Sequence, residues 1–113
     1  MDASQFESRA DATLARLEQV LEASAGDGLD VELVGGILML ELESGGTYQI
    51  NKHSPNREIW LSSPVSGAWH FAWHEREGHG GDGAWRSTRG AERLEDLLGQ
   101  ELSQALGEVI ALG

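Results

Sequence analysis

From Ser4 to Ser24 the positions Phe6, Ala10, Thr13, Leu14, Leu17, Val20 and Leu21 recur at intervals of three and four, which gathers them on one side of a helix. Ser4 stands where an N-cap would be, Glu7, Asp11, Glu18 and Glu22 occupy the other side, and the Gly-Asp-Gly at 26–28 ends the helix. After it the period changes to two. The run LDVELVGGILMLELESGGTYQINKHSPNREIWLSSPVSGAWHFAWH alternates apolar and polar residues and is punctuated by GG, SGG, HSPN and SPVSG. It predicts five strands, over 29–34, 37–43, 46–52, 57–63 and 67–74, with connections short enough to make neighbours antiparallel. The segment EREGHGGDG at 75–83 reads as a glycine-rich loop, and Ala84 to Ser87 as a sixth, short strand. From about Gly90, a second helical stripe runs through Leu94, Leu97, Leu98, Leu102, Ala105, Leu106, Val109 and Ile110. Gly99 and Gly107 interrupt it, each at a cost on the order of 1 kcal/mol relative to Ala, and can let the helix lie close to a neighbour.

Alternation assigns Val31, Leu33, Leu38, Leu40, Leu42, Tyr48, Ile50, Ile59, Leu61, Trp69, Phe71 and Trp73 to one face of the sheet. One apolar face and a helix at either end of the chain have a simple solution. Both helices pack on that face, giving an α+β two-layer sandwich with a five- to six-stranded antiparallel sheet whose other face meets water, in a single domain over 1–113.

The same alternation turns Asn51 and Trp60 outward, because Ile50, Ile59 and Leu61 point in. Gln49, Glu58 and Ser62 share that outward side, so a large aromatic is surrounded by polar residues, the usual make-up of a binding hot spot. The competing reading is a twisted or bulged strand in which Trp60 is covered by the chain.

Charge narrows the partners. A net charge of −11 on 113 residues argues against nucleic acid, which is bound through Lys and Arg. Residues 1–43 carry ten acids against Arg9 and Arg16, whereas the remainder carries nine acids against six bases. One flank of the molecule therefore attracts cations or a basic protein. There is no apolar run long enough to span a membrane and no signal-peptide pattern at the N-terminus, so a cytoplasmic protein is expected. Cysteine is absent, which leaves only oxygen and imidazole as metal ligands.

Glu18 and Glu22 lie one turn apart on the first helix, Asp27 sits in the turn that follows, and Asp30 and Glu32 share the outward side of the first strand. Neighbouring elements can bring these pairs together. Glu22 opposes the macrodipole at its helix end, a locally disfavoured choice that hints at function. Oxygen ligands alone suit Ca²⁺, Mg²⁺, Mn²⁺ or iron, held weakly; the alternative is a solvated acidic face. The four histidines show no zinc spacing: His70 and His74 are about 13 Å apart along an extended strand at ~3.3 Å per residue, His53 falls in a turn and His79 in the loop. Each reads as a solvated side chain. No nucleophile elbow, catalytic triad or phosphate-binding glycine motif is present, so enzymatic function is disfavoured.

The segment TYQINKHSPNREIWLSSPVSGAWHFAW closely resembles the most characteristic stretch of the frataxin family, where an INKQxPNxQIWLSSPxSG-like sequence forms the third and fourth strands. The order of elements is similar over nearly the whole chain, down to a Leu-Glu-Asp-Leu-Leu stretch in the last helix, and the short length resembles the bacterial form. The resemblance implies weak, labile binding of Fe²⁺ or Fe³⁺ by an acidic ridge, and action on iron–sulfur cluster assembly through contact with a cysteine desulfurase and a scaffold protein. By position Glu18, Glu22, Asp27, Asp30 and Glu32 match the ridge, and Asn51 and Trp60, with Gln49 and Glu58 beside them, match the partner-contact face. It further implies a monomer that can form iron-dependent oligomers, and a ferroxidase-like activity is attributed to such proteins, although this chain has no paired ExxH. Two departures stand out. Gln19, Ala23, Ser24 and Ala25 replace a denser acidic run, and Glu58 replaces a frequent Gln. Two classes compete: an iron donor or iron-dependent regulator, and an interaction module whose acids serve only docking and solubility.

Overall fold

The computed structural model describes residues 1–75 and 83–113; His79 and most of the expected glycine-rich loop lie outside the described residues. The elements are α1 (Ala3–Ser24), β1 (Leu29–Val34), β2 (Ile37–Leu42), β3 (Thr47–His53), β4 (Glu58–Ser63), β5 (Gly67–His74), β6 (Ala84–Ser87) and α2 (Leu94–Leu106). The six strands form one sheet in sequence order, each antiparallel to the next. Gly35 and Gly36, at φ +60° and +78°, make the two-residue turn that joins β1 to β2 and sets their register.

The helix layer and one sheet face share one core. Phe6, Ala10, Leu14, Leu17 and Leu21 of α1 and Leu94, Leu98 and Leu102 of α2 are buried against Leu38, Leu40, Leu42, Tyr48, Ile50, Ile59, Leu61 and Phe71. Val31, Leu33, Trp69 and Trp73 complete the face half-buried. Trp85 of β6 fills the end of this core, edge-on to Phe6 and Trp73, with its indole N–H donating to Thr13 Oγ1 at 2.9 Å. Its one polar atom is thereby satisfied, as a buried indole requires. Among the described residues no helix is long and apolar enough to cross a membrane.

Several element ends shift from those the sequence suggests, α2 beginning at Leu94 and the bounds of β2, β3 and β4 moving by one residue, and two of the helix ends have a clear cause. Asp2, not Ser4, caps α1: its carboxylate accepts from Gln5 N at 2.8 Å while Gln5 Oε1 accepts from Asp2 N at 3.0 Å. Ser4 and Glu7 have capping-box spacing too, but Glu7 is drawn to Lys52 Nζ and Ser54 Oγ. At the other end, α2 stops at Leu106, where Gly107 turns left-handed at φ +72°. The apolar period beyond it belongs to a returning tail, whose Ile110 and Leu112 are buried. Gly99 is what lets this tail pass: a Cβ there would stand 3.0 Å from the Ile110 carbonyl oxygen.

Three polar clusters tie the elements together. Lys52 Nζ reaches Glu7 at 2.5 Å and Asp11 at 2.8 Å. Asp11 and Glu7 hold the Lys52 ammonium above its usual range, and Lys52 with Ser54 holds the Glu7 carboxyl below its own. Arg16 donates to Glu95 Oε2 at 2.8 Å and to the Leu112 carbonyl at 2.6 Å, tying α1 to α2 and to the tail. Glu101 accepts from Tyr48 Oη at 2.9 Å, Ser63 Oγ at 2.7 Å and Ser66 Oγ at 2.5 Å, and burial together with this carboxylate pushes the Tyr48 phenol well up.

Candidate functional site

With both helices on one face, the other sheet face carries the outward residues of all six strands. Its β1–β2 end is acidic. The 3-10 turn at Gly26–Gly28 delivers Asp27 next to β1, and the hairpin register sets Asp30 directly opposite Glu41 and Glu32 opposite Met39. Two carboxylates facing each other across antiparallel strands repel, a local cost that a bound cation would remove. A cavity of about 300 Å³ is lined by Asp30, Val31, Glu32, Met39, Glu41 and Thr47. A neighbouring one of about 380 Å³ is lined by Asp27, Asp30, Glu41, Leu42 and Glu43.

The structure thus joins Asp27, Asp30 and Glu32 with Glu41 and Glu43, two acids that the sequence reading counted only as charge. Their signal was available: the Gly35–Gly36 turn pairs residues summing to 71, which puts Glu41 on Asp30. Glu18, half-buried, and Glu22, exposed, remain on α1, which packs closely over β1 from the opposite side of the sheet. Neither lines these cavities. Among the described residues no three His, Asp or Glu side chains are grouped so as to hold one ion.

The middle of the face is aromatic. Asn51, Trp60 and His70 are directly opposed across β3, β4 and β5, with Gln49 and Ser62 paired one step along. The Trp60 ring stacks on His53 at 3.7 Å and 6° and on His70 at 4.2 Å and 7°, so imidazoles cover both of its faces. Its indole N–H donates to Glu58 Oε1 at 2.9 Å, and the same oxygen lies 3.8 Å from His70 Nδ1. Asn51 Nδ2 donates to the Lys52 carbonyl at 3.1 Å. Trp60 does point outward, but it is half-buried because two rings flank it, and it presents an edge. His53 and His70 are therefore not separate solvated side chains. His53 ends β3 rather than sitting in a turn, and its Nδ1 is buried with no hydrogen-bond partner among the described residues.

Sequence and structure comparisons place the chain among known proteins. A frataxin-like domain model matches residues 1–108. The chain is 40% identical, over 99% of its length and 99% of the relative's, to the iron–sulfur cluster assembly protein CyaY of Dechloromonas aromatica. It is 44% identical over 76% of its length to the mitochondrial frataxin of Arabidopsis thaliana, and spans only 43% of that protein. It spans about half, 52%, of the yeast mitochondrial homologue. Among solved structures, a frataxin from Psychromonas ingrahamii superposes with TM-score 0.81 over 100% of this chain and 99% of that one at 22% identity, a likeness of fold. Trimeric yeast frataxin complexed with ferrous iron superposes with TM-score 0.66 at 36% identity, over 96% and 88% of the two chains.

Proposed function

The chain belongs to the frataxin family, and from that membership we propose that it acts in iron–sulfur cluster assembly, carrying iron on one part of its surface and docking to the assembly machinery with another. Iron is the cargo. Glu18, Glu22, Asp27, Asp30 and Glu32 form the acidic ridge, extended by Glu41 and Glu43. The observation that carries this reading is the opposed pair Asp30 and Glu41, whose repulsion Fe²⁺ relieves. Carboxylates spread along an edge supply charge without enclosing the ion, so iron enters and leaves quickly, as a donor or iron-dependent regulator needs.

Gln49, Asn51, Glu58 and Trp60 form the docking surface for the scaffold protein. Glu58 and the two imidazoles hold the indole at one angle, which lowers the ordering cost of binding. The acidic ridge meets a basic surface of the cysteine desulfurase, with steering that weakens as salt rises. Iron on the ridge neutralises part of that surface and tunes the contact. The role is one of carriage and regulation, not catalysis. The test is reconstituted cluster assembly with desulfurase and scaffold: Trp60→Ala abolishes the effect of the protein while leaving iron binding intact, and an unchanged effect overturns the docking assignment.

A further inference from the structure

We propose that the cavity between β5 and the turn after β6 is the seat for a carboxylate side chain of the docked protein. This rests on the reading of the Trp60 face as a docking surface and names the chemistry at its far end. The cavity, about 200 Å³, is lined by Ala68, His70, Thr88 and Arg89. That is the scale of one acidic side chain and its water, below the usual range of small-molecule sites.

Its donors are built in. The Arg89 guanidinium is held by a hydrogen bond from Nη2 to the Ala68 carbonyl at 2.9 Å and lies 5.8 Å from the Trp69 ring centroid. Among the described residues Arg89 makes no ion pair, so its remaining N–H groups are available in the forked geometry that fits a carboxylate. Thr88 adds a hydroxyl and is fixed by its own N–H, which donates to the His70 carbonyl at 2.9 Å. His70 belongs both to the cavity and to the Trp60 stack, so the cationic seat and the aromatic anchor are continuous. Glu58, on the same face, is committed to the indole N–H and lies 3.8 Å from His70 Nδ1.

The surrounding charge makes this seat selective. On a chain of net charge −11 an anion is repelled from most of the surface and settles only where fixed cations outweigh that field. The outward face runs from Asp30, Glu32 and Glu41 on β1 and β2, through the rings, to the Arg89 guanidinium beyond β5. A partner with a basic group at one end of its contact and an acidic one at the other docks in a single orientation; turned round, it meets like charge at both ends.

The test has two arms. In the first, the isotopically labelled protein is titrated with N-acetyl-aspartate N-methylamide and, separately, with inorganic phosphate, followed by amide and arginine side-chain NMR shifts. The proposal expects saturable shifts at Ala68, His70, Thr88 and Arg89 with the carboxylate, abolished in Arg89→Gln. Shifts spread over Arg9, Arg57 and Arg93 and unaltered by Arg89→Gln overturn it, as does saturation by phosphate well before the carboxylate. In the second arm, affinity for the scaffold protein falls about tenfold in Arg89→Glu and less in Arg89→Lys. Weakening by Trp60→Ala alone refutes the seat and leaves the docking surface standing; weakening by neither refutes both.

Discussion

The rings of Trp60 and His70 lie 4.2 Å apart and 7° from parallel, on neighbouring strands whose register opposes these two residues directly. An indole held this way shifts the resonances of the rings above and below it. The ring protons of His53 and His70 are expected well upfield of free imidazole, and to return towards it in Trp60→Ala with the sheet amides otherwise unmoved. Unshifted histidine resonances in the native protein would rule the stack out.

Stability and docking separate by residue. Arg16→Ala leaves Glu95 buried, its Oε1 already without a partner among the described residues, and frees the tail carbonyl at Leu112. Because Arg16 is itself partly exposed, a loss of about 2 kcal/mol is expected. That lowers Tm by on the order of 10 °C in a chain of this size. Trp60→Ala, on the solvent face, is expected to shift Tm by only a few degrees. Calorimetry of the two variants checks both, and a Trp60→Ala protein that fails to fold would make Trp60 a core residue.

Tyr48 is the only tyrosine, which makes its ionisation readable by absorbance. Burial first and Glu101 second raise its phenol above the ordinary value of 10.0, so the folded protein keeps a proton that the unfolded chain gives up. The stability linked to it is complete below that value and falls as pH rises beyond it. Phenolate absorbance is expected to appear together with loss of the circular dichroism of the fold. Titration near pH 10 in the still-folded protein contradicts the contact, and Glu101→Ala should bring the two events to lower pH.

Lys52→Met removes the clamp on the first turns of α1. The Glu7 carboxyl is lowered by Lys52 and Ser54, so its contribution is present above the ordinary 4.5 and is lost as pH falls through its lower folded value. The Lys52 ammonium is raised by Asp11 and Glu7, so its contribution is present below the ordinary 10.5 and is lost as pH rises through its higher folded value. Urea unfolding should therefore give a wild-type minus Lys52→Met difference that is level between roughly pH 5 and 10 and shrinks at both extremes. A difference independent of pH contradicts the ion pair.

Why some of this was legible beforehand, and some not, is a matter of range. Alternation is local, and it placed Leu38, Tyr48, Ile59 and Phe71 inward and Trp60 outward without knowledge of the neighbours. The Trp60 stack depends on register across three strands: His53 and His70 are distant in sequence and meet only because β3, β4 and β5 pair as they do. The acidic edge was half visible for the same reason, since Asp30 is read from its own strand while Glu41 becomes its neighbour through the hairpin. The end of α2 was misplaced because Val109 and Ile110 continue the apolar period past Gly107, although they belong to a returning tail in which Ile110 is buried and Val109 is exposed.

That iron and the docking partner use separate parts of one molecule is open to direct measurement. An anaerobic Fe²⁺ titration of the labelled protein, read as paramagnetic broadening of amide resonances, tests it most directly. Broadening is expected to be confined to residues of α1 around Glu18 and Glu22, to 27–32 and to Glu41 and Glu43, with His53, Trp60 and His70 sharp at equal iron and protein. Broadening centred on His53 and His70 would contradict it, by making the aromatic stack the metal site and leaving the acidic edge to docking alone.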